Sequence, residues 1–385
     1  MNDVQRLRGK FTGLAAVGAV ACVLGYLTSR EVFFYAYLQS YMLWLGVSLG
    51  CLGIWMVHNM TGGLWGPKPV RTILESAYQL IPLMAILFIP ILVGMKIIYP
   101  WTHPDAKLYS EIVAKVGWLN QPFFITRVAI YFAVWIGIVI MMRPWRGRHP
   151  SELALPELHQ LQRRSAAGLL LYAFTISFAG FDWMMSIEPR WSSSAFGLLV
   201  LIGEVLTSFC FLVIITQVLA KRKLMVPIDT KVLHDFGNYL LMSVMFWAYI
   251  SFSQYLIMWS GQLPEEMFWY RERWRNGWQY LALGLLLFHF LVPFLLLLQR
   301  RIKKKHAALL ALCVYLLVMR VVDNFWNGSL VVPDRGPVVS WTHLVFPFAI
   351  GAMWLAGFFG VLGRGPLLLQ PAGGVQDRDR RERQH

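Results

Sequence analysis

The sequence predicts an all-α integral membrane protein with ten transmembrane helices, and three observations carry that class. Of the 385 residues, 57% are hydrophobic and only 14% charged, and the mean hydropathy of +0.53 lies outside what a water-soluble domain of this length shows. Ten separate runs approach the roughly 20 apolar residues that one bilayer crossing needs. Within each run the apolar residues are continuous rather than alternating, which fits helices and not the strands of a barrel.

The first run, near 11–27, follows Arg6, Arg8 and Lys10. Its apolar core is longer than that of a signal peptide, and Thr28-Ser29-Arg30-Glu31 offers no small-x-small cleavage site, so this helix is expected to be retained. The other runs lie near 35–57, 78–98, 121–142, 166–187, 195–219, 238–259, 278–299, 307–328 and 342–362. Segment 150–165, PSELALPELHQLQRRS, reads as a short polar linker helix. Stretches 104–118 and 264–275 mix aromatic and aliphatic groups with charges and are flanked by Trp101, Trp118, Trp269 and Trp278. They are expected to lie in the outer interface as ordinary connecting segments. The charge-dense tail, 365–385, is expected to be disordered unless a partner covers it.

Basic residues give an orientation. With loops assigned alternately, most Lys and Arg fall on the side of the two termini, in clusters around 143–164, 221–231, 300–305 and from Arg364 onward. The opposite side holds only Arg30, Lys107, Lys115, Arg190, Arg271, Arg273, Arg275 and Arg335, while Lys96, Arg127 and Arg320 lie within spans. The positive-inside rule then places both termini in the cytoplasm. The net charge of +15 is on this reading a topology signal, and nucleic-acid binding is not expected.

Cofactor signals are absent. Cys22, Cys51, Cys210 and Cys313 sit in four different apolar runs without CxxC spacing, so no iron-sulfur cluster, zinc site or disulfide framework is expected. A b-type haem needs two histidines on facing helices at matching depth; only His289 lies mid-span, with His58 and His234 at inner ends and His343 at an outer end. No spacing supports a dicarboxylate metal site.

If the first and last spans are peripheral, the middle eight divide into two parallel sets of four, 35–187 and 195–328. Each set ends on an Asp followed by an aromatic: Asp182-Trp183 before Pro189-Arg190, and Asp323 with Phe325 and Trp326 before Pro333-Asp334-Arg335. This suggests two up-down four-helix bundles. The expected divisions are 1–34 for the N-terminus and first helix, 35–190 and 191–335 for the bundles, 336–364 for the tenth helix and 365–385 for the tail.

Charged groups at membrane depth are costly and by default functional candidates. Asp182 sits in an otherwise apolar helix, with Lys96 and Arg127 as counter-charges in the outer part of the first set. In the second set Gln254, Arg320 and Asp323 fall in the outer part, and Glu204 and His289 nearer the midplane. Arg320 and Asp323, three apart, share a helix face. Glu75, Tyr78, Gln79, Thr216 and Gln217 populate the inner half. Two readings stand side by side: structural ion pairs holding helices in register, with Lys96 snorkelling, or a wet polar track relaying protons through Asp182, Glu204, His289, Arg320, Asp323, Arg127 and Lys96.

The stretch FAGFDWMMSIEPRW at 178–191, followed by SFSQYLIMWSGQLPEEMFWYRER at 251–273, resembles the NrfD-like membrane subunits of bacterial alternative complex III, specifically the ActF type, related to the membrane subunit of polysulfide reductase. That resemblance implies two four-helix bundles with peripheral helices, in a bacterial inner-membrane complex that oxidises quinol. It implies no redox cofactor in this chain, and partners that include a paralogous NrfD-like subunit, iron-sulfur subunits and haem c subunits delivering electrons toward a cytochrome c or similar acceptor. Quinol binding belongs most firmly to the paralogous subunit, and a proton pathway is the expected contribution of this one. Asp182 lies within the resembling stretches; Glu204, His289, Arg320 and Asp323 are chosen by depth and charge. A direct quinone site, a secondary transporter and a purely structural anchor are the competing readings.

Overall fold

The computed structural model describes residues 3–63, 65–103, 110–261, 264–331 and 336–364. Among the described residues all regular structure is helical, with no strand. Ten helices are long and apolar enough to cross a membrane: Asp3–Thr28, Arg30–Thr61, Lys68–Val93, Gln121–Trp145, Leu155–Ile187, Phe196–Lys221, Thr230–Gly261, Trp278–Leu298, His306–Gly328 and Trp341–Leu362. They make this a multi-pass membrane protein, with spans where the apolar runs put them. Several helices overrun those runs. The separate linker expected at 150–165 is mostly the first turns of the fifth span, because no proline interrupts the chain between Pro156, tolerated in the first turn, and Pro189. The tail 365–385, the Pro333-Asp334-Arg335 corner and positions 104–109 of the first amphipathic stretch lie outside the described residues.

The second and sixth spans are the most buried, and the first is the least. The second touches the first, third, fifth, sixth, ninth and tenth; the sixth touches the second, third, fifth, seventh and ninth. The third also meets the fourth, the fourth the fifth, the seventh the eighth, and the eighth the ninth, while the first packs chiefly on the tenth. The central approach has a local cause. Gly46 and Gly50 are four apart on the second span and face Glu204 and Ser208 of the sixth, where a Cβ at Gly50 would meet the Glu204 backbone. Ser208 Oγ lies 3.2 and 3.1 Å from the carbonyls of Gly46 and Val47. Small residues at this spacing let helices close up where lipid gives apolar surface no reason to hide.

The third and eighth spans depart from regular α-helix in their interiors, and side-chain hydroxyls take up carbonyls that the departures release. The third, which contains Pro82 and Pro90, is interrupted at Gln79–Leu80 and again at Phe88. The Phe88 N–H reaches Ala85 O rather than Met84 O, and the Ile91 N–H reaches Phe88 O rather than Leu87 O. Hydroxyls of the second span take the released carbonyls: Tyr41 donates to Met84 O at 2.9 Å and Tyr37 to Leu87 O at 2.8 Å. In hydrocarbon, where no water does this service, such replacement is what makes a proline-broken helix tolerable.

In the eighth span Leu285–Leu291 is π-helical, and the Val292 N–H bonds Leu287 O five residues back. Pro293 has no N–H for the next carbonyl in that register, Phe288 O. Tyr315 of the ninth span donates to it instead, at 2.7 Å. π-helical segments are frequent at functional sites, and this one carries His289.

Candidate functional site

Asp182 is fully buried near the end of the fifth span and every lone-pair direction is used. Arg127 of the fourth span donates Nε to Oδ2 at 2.7 Å and Nη2 to Oδ1 at 2.9 Å. Tyr131 adds a hydroxyl to Oδ2 at 2.7 Å and Trp118 its indole N–H to Oδ1 at 2.8 Å. The guanidinium is held as firmly, with Nη1 on Trp118 O at 2.9 Å and the Trp118 and Phe123 rings against its face at 4.2 and 4.4 Å. The counter-charge of Asp182 is therefore Arg127. Lys96 is exposed, and His103 Nε2 lies 2.8 Å from its carbonyl.

Glu204 and Asp323 belong to a second, less saturated group where the fifth, sixth, seventh and ninth spans converge. Tyr172 donates to Glu204 Oε2 at 2.8 Å, but Oε1, also buried, has no partner in the protein. Arg320 pairs with Asp323 Oδ2 and reaches Asn324 Oδ1 at 3.2 Å and Thr207 Oγ1 at 3.4 Å. Gly203, just before Glu204, leaves the room that this guanidinium occupies. Asn327 Nδ2 donates to Asp323 Oδ1 at 3.0 Å and Trp247 Nε1 to Oδ2 at 3.3 Å. Asn324 Nδ2 carries the network on to Gln39 O of the second span at 3.2 Å.

His289 is buried, with its ring edge-on to Trp247 at 4.4 Å and both ring nitrogens without a partner in the protein. It joins the Asp323 group through that indole and not by a hydrogen bond of its own. Asp182 and Asp323 thus share one feature, an indole N–H donor, and differ in another: the arginine of Asp182 comes from a neighbouring helix, that of Asp323 from one turn earlier on its own.

Two spaces adjoin this group. A cavity of about 20 Å³ is lined by Glu204, Arg320, Asp323, Asn324 and Asn327 with apolar neighbours such as Val200. A far larger cleft, about 730 Å³, opens between the seventh and eighth spans, with Asp323, Asn327, Ser251 and Gln254 among walls that are otherwise apolar and aromatic. Tyr249, Phe252 and Leu283 of its lining are well exposed, so its mouth is on the outer, apolar surface of the helix assembly. Its far wall is the helix Pro264–Arg273. That helix does more than lie in an interface. Trp269 stacks on Trp191 at 4.6 Å, and Arg273, buried against the Trp269 ring at 3.8 Å, donates to Trp326 O in the last turn of the ninth span at 3.4 Å and to Ser329 O just beyond it at 2.9 Å.

Several participants were not among the sequence candidates. Tyr131 and Tyr172 look like ordinary aromatic core residues until their hydroxyls are seen on carboxylates. Their position in the middle of otherwise apolar spans is the signal, since a buried phenol needs a partner. A further polar cluster joins the second and third spans at their connected ends: Arg71 Nη1 lies 2.8 Å from Asn59 Oδ1 and 3.0 Å from His58 Nδ1. Glu75, one turn later, accepts from Trp55 Nε1 at 3.2 Å and from the Gly147 N–H at 2.9 Å. Thr216 bonds back to Leu212 O of its own helix at 2.6 Å. Among the described residues no group of three His, Cys, Asp or Glu is placed to hold a metal. The four cysteines are free, although Cys210 and Cys313, distant in sequence, meet across the sixth and ninth spans.

The chain matches no protein-family model and no curated protein.

Proposed function

We propose that this chain is the cofactor-free membrane subunit of a bacterial quinol:electron-acceptor oxidoreductase, anchoring haem c and iron-sulfur partners beside a paralogous membrane subunit and passing protons through its interior. In this reading spans two to five and six to nine are parallel four-helix bundles in the inner membrane, with the first and tenth spans peripheral and both termini cytoplasmic. The order of helix neighbours supports the bundles, and the distribution of Lys and Arg supports the orientation. Membership in the oxidoreductase rests on the resemblance at 178–191 and 251–273.

One observation carries the relay: Glu204 is buried among the second, fifth and sixth spans with one carboxylate oxygen on Tyr172 and the other unpartnered beside the Arg320–Asp323 pair. Asp182, by contrast, is saturated by Arg127, Tyr131 and Trp118. Glu204 is not, so the relay is assigned to Glu204, Asp323 and Arg320 with His289 alongside, and the Asp182–Arg127 pair serves as a clamp. Lys96 has no part in it. The test is isolation of the complex in mild detergent followed by reconstitution in vesicles. Haem c and iron-sulfur proteins are expected to co-purify, and Glu204→Gln is expected to lower the proton-to-electron ratio where Lys96→Gln does not. Equal ratios would reduce the chain to an anchor, and isolation of the chain alone would favour a transporter.

The wide cleft favours a second reading, direct quinone binding, since it combines apolar walls with Asp323 and Gln254 at membrane depth. A photoreactive quinone is expected to label Tyr249 or Phe252 if that reading holds, and only the partner subunits if it does not.

A further inference from the structure

The space between Glu204 and the Arg320–Asp323 pair is small and polar on one side. Its volume, about 20 Å³, exceeds the roughly 10–15 Å³ that one water requires and leaves no room for a larger guest. A buried water also needs two to four polar partners. Glu204, Arg320, Asp323, Asn324 and Asn327 all border this space, and Glu204 Oε1 is the buried atom among them that the protein leaves without a bond. An unsatisfied carboxyl oxygen bears its full desolvation cost, which a single water at this place would remove.

We infer that the cavity is a one-water site, in which the water donates to Glu204 Oε1 and is held on its other side by Asp323 and Asn327. Those two residues, together with Leu199, also border the large cleft. They form a partition one side chain thick between a space that opens on the apolar surface and the central Glu204. With the water in place, the Tyr172–Glu204 pair and the network running from Asn327 through Asp323 and Arg320 to Asn324 and Gln39 become one hydrogen-bonded chain across the fifth, sixth, ninth and second spans. The use of that chain rests on the relay reading above; occupancy of the site does not.

The test uses the intact complex, wild type and with Val200→Ile, which adds a methyl group to the cavity wall without altering a polar group; Val200→Ala is the control. A high-resolution density map and infrared difference spectra in ordinary and heavy-oxygen water are recorded for each. The expected result is one density within hydrogen-bonding distance of Glu204 Oε1 and one isotope-sensitive O–H band in the wild type and Val200→Ala, both lost in Val200→Ile. A map that resolves Glu204 without that density, or an isotope-sensitive band that survives Val200→Ile unchanged, overturns the site. The proton-to-electron ratio on the same preparations separates the two ideas: if Val200→Ile loses the water and keeps the ratio, the water site stands and the relay through it falls.

Discussion

Arg127 grips Asp182 by both carboxylate oxygens, at 2.7 and 2.9 Å, in a site where neither side chain is more than 5% exposed. Removing one partner strands the other as an unpaired buried charge, which costs on the order of 3–5 kcal/mol, whereas replacing both with apolar groups is often neutral. Asp182→Leu is therefore expected to lower stability by that amount, and adding Arg127→Met to recover part of it, the remainder being the acceptor that Tyr131 and Trp118 lose. Thermal unfolding of the four proteins of this cycle in detergent decides the matter; strictly additive losses would mean the pair does not act as a unit.

Tyr172 is the only protein donor to Glu204 among the described residues. Tyr172→Phe keeps the ring and deletes that donor, leaving a buried carboxylate with neither oxygen satisfied by protein. A loss of about 1–3 kcal/mol in stability is expected, together with a displaced carboxyl stretching band in the infrared spectrum. The band in Tyr172→Phe should coincide with none of the wild-type carboxyl bands and should vanish in the Tyr172→Phe, Glu204→Gln double variant. A wild-type spectrum in Tyr172→Phe would remove Tyr172 from the network.

Gly46 and Gly50 yield a ranked prediction. A methyl at Gly46 meets the flexible Glu204 side chain, while one at Gly50 meets Glu204 backbone and the Ser208 hydroxyl, which cannot move without separating the two central helices. Gly50→Ala is expected to cost about 1–3 kcal/mol and Gly46→Ala distinctly less. Melting temperatures in the same detergent test the order, and the reverse order would place the tight contact elsewhere.

The number and position of the spans were legible in the sequence because each is set by the bilayer, a one-dimensional constraint written in consecutive residues. Asp182, Arg127, Arg320 and Asp323 were legible for the same reason: charge is conspicuous in an apolar run. Partner choice was not. Lys96 and Arg127 were equal candidates for Asp182, and only the rotation of the fourth span, which turns Arg127 inward while Lys96 points out, separates them. Tyr131 and Tyr172 were hidden because a tyrosine inside a span is apolar by most of its surface. The Gly46–Gly50 spacing does not by itself say which helix it faces, and the structure alone shows that it sets Glu204 against the second span.

The connection between the fourth and fifth spans is expected to loosen in acid. Burial, with Arg71 nearby, pushes the His149 imidazole below its ordinary 6.5, and its Nδ1 accepts the Ser151 N–H at 3.3 Å, a bond that protonation destroys. Glu152 is held below the ordinary 4.5 by the His149 N–H, with help from Lys68. Both groups bind protons less readily folded than unfolded, so each contributes stability that is fully present above its unfolded value and is lost as pH falls through its folded value. From about pH 7 downward His149 responds first and Glu152 only below about 4.5. Because Glu152 is exposed and His149 only partly buried, the effect is a local opening worth about 1 kcal/mol or less, best read as the rate of proteolytic cleavage after Arg146 and Arg148. Cleavage is expected to accelerate as the pH falls below about 6.5 in the wild type, and to stay flat in His149→Gln until the rise that Glu152 brings below about 4.5. An unchanged profile in His149→Gln would show that the acid response of this loop originates elsewhere.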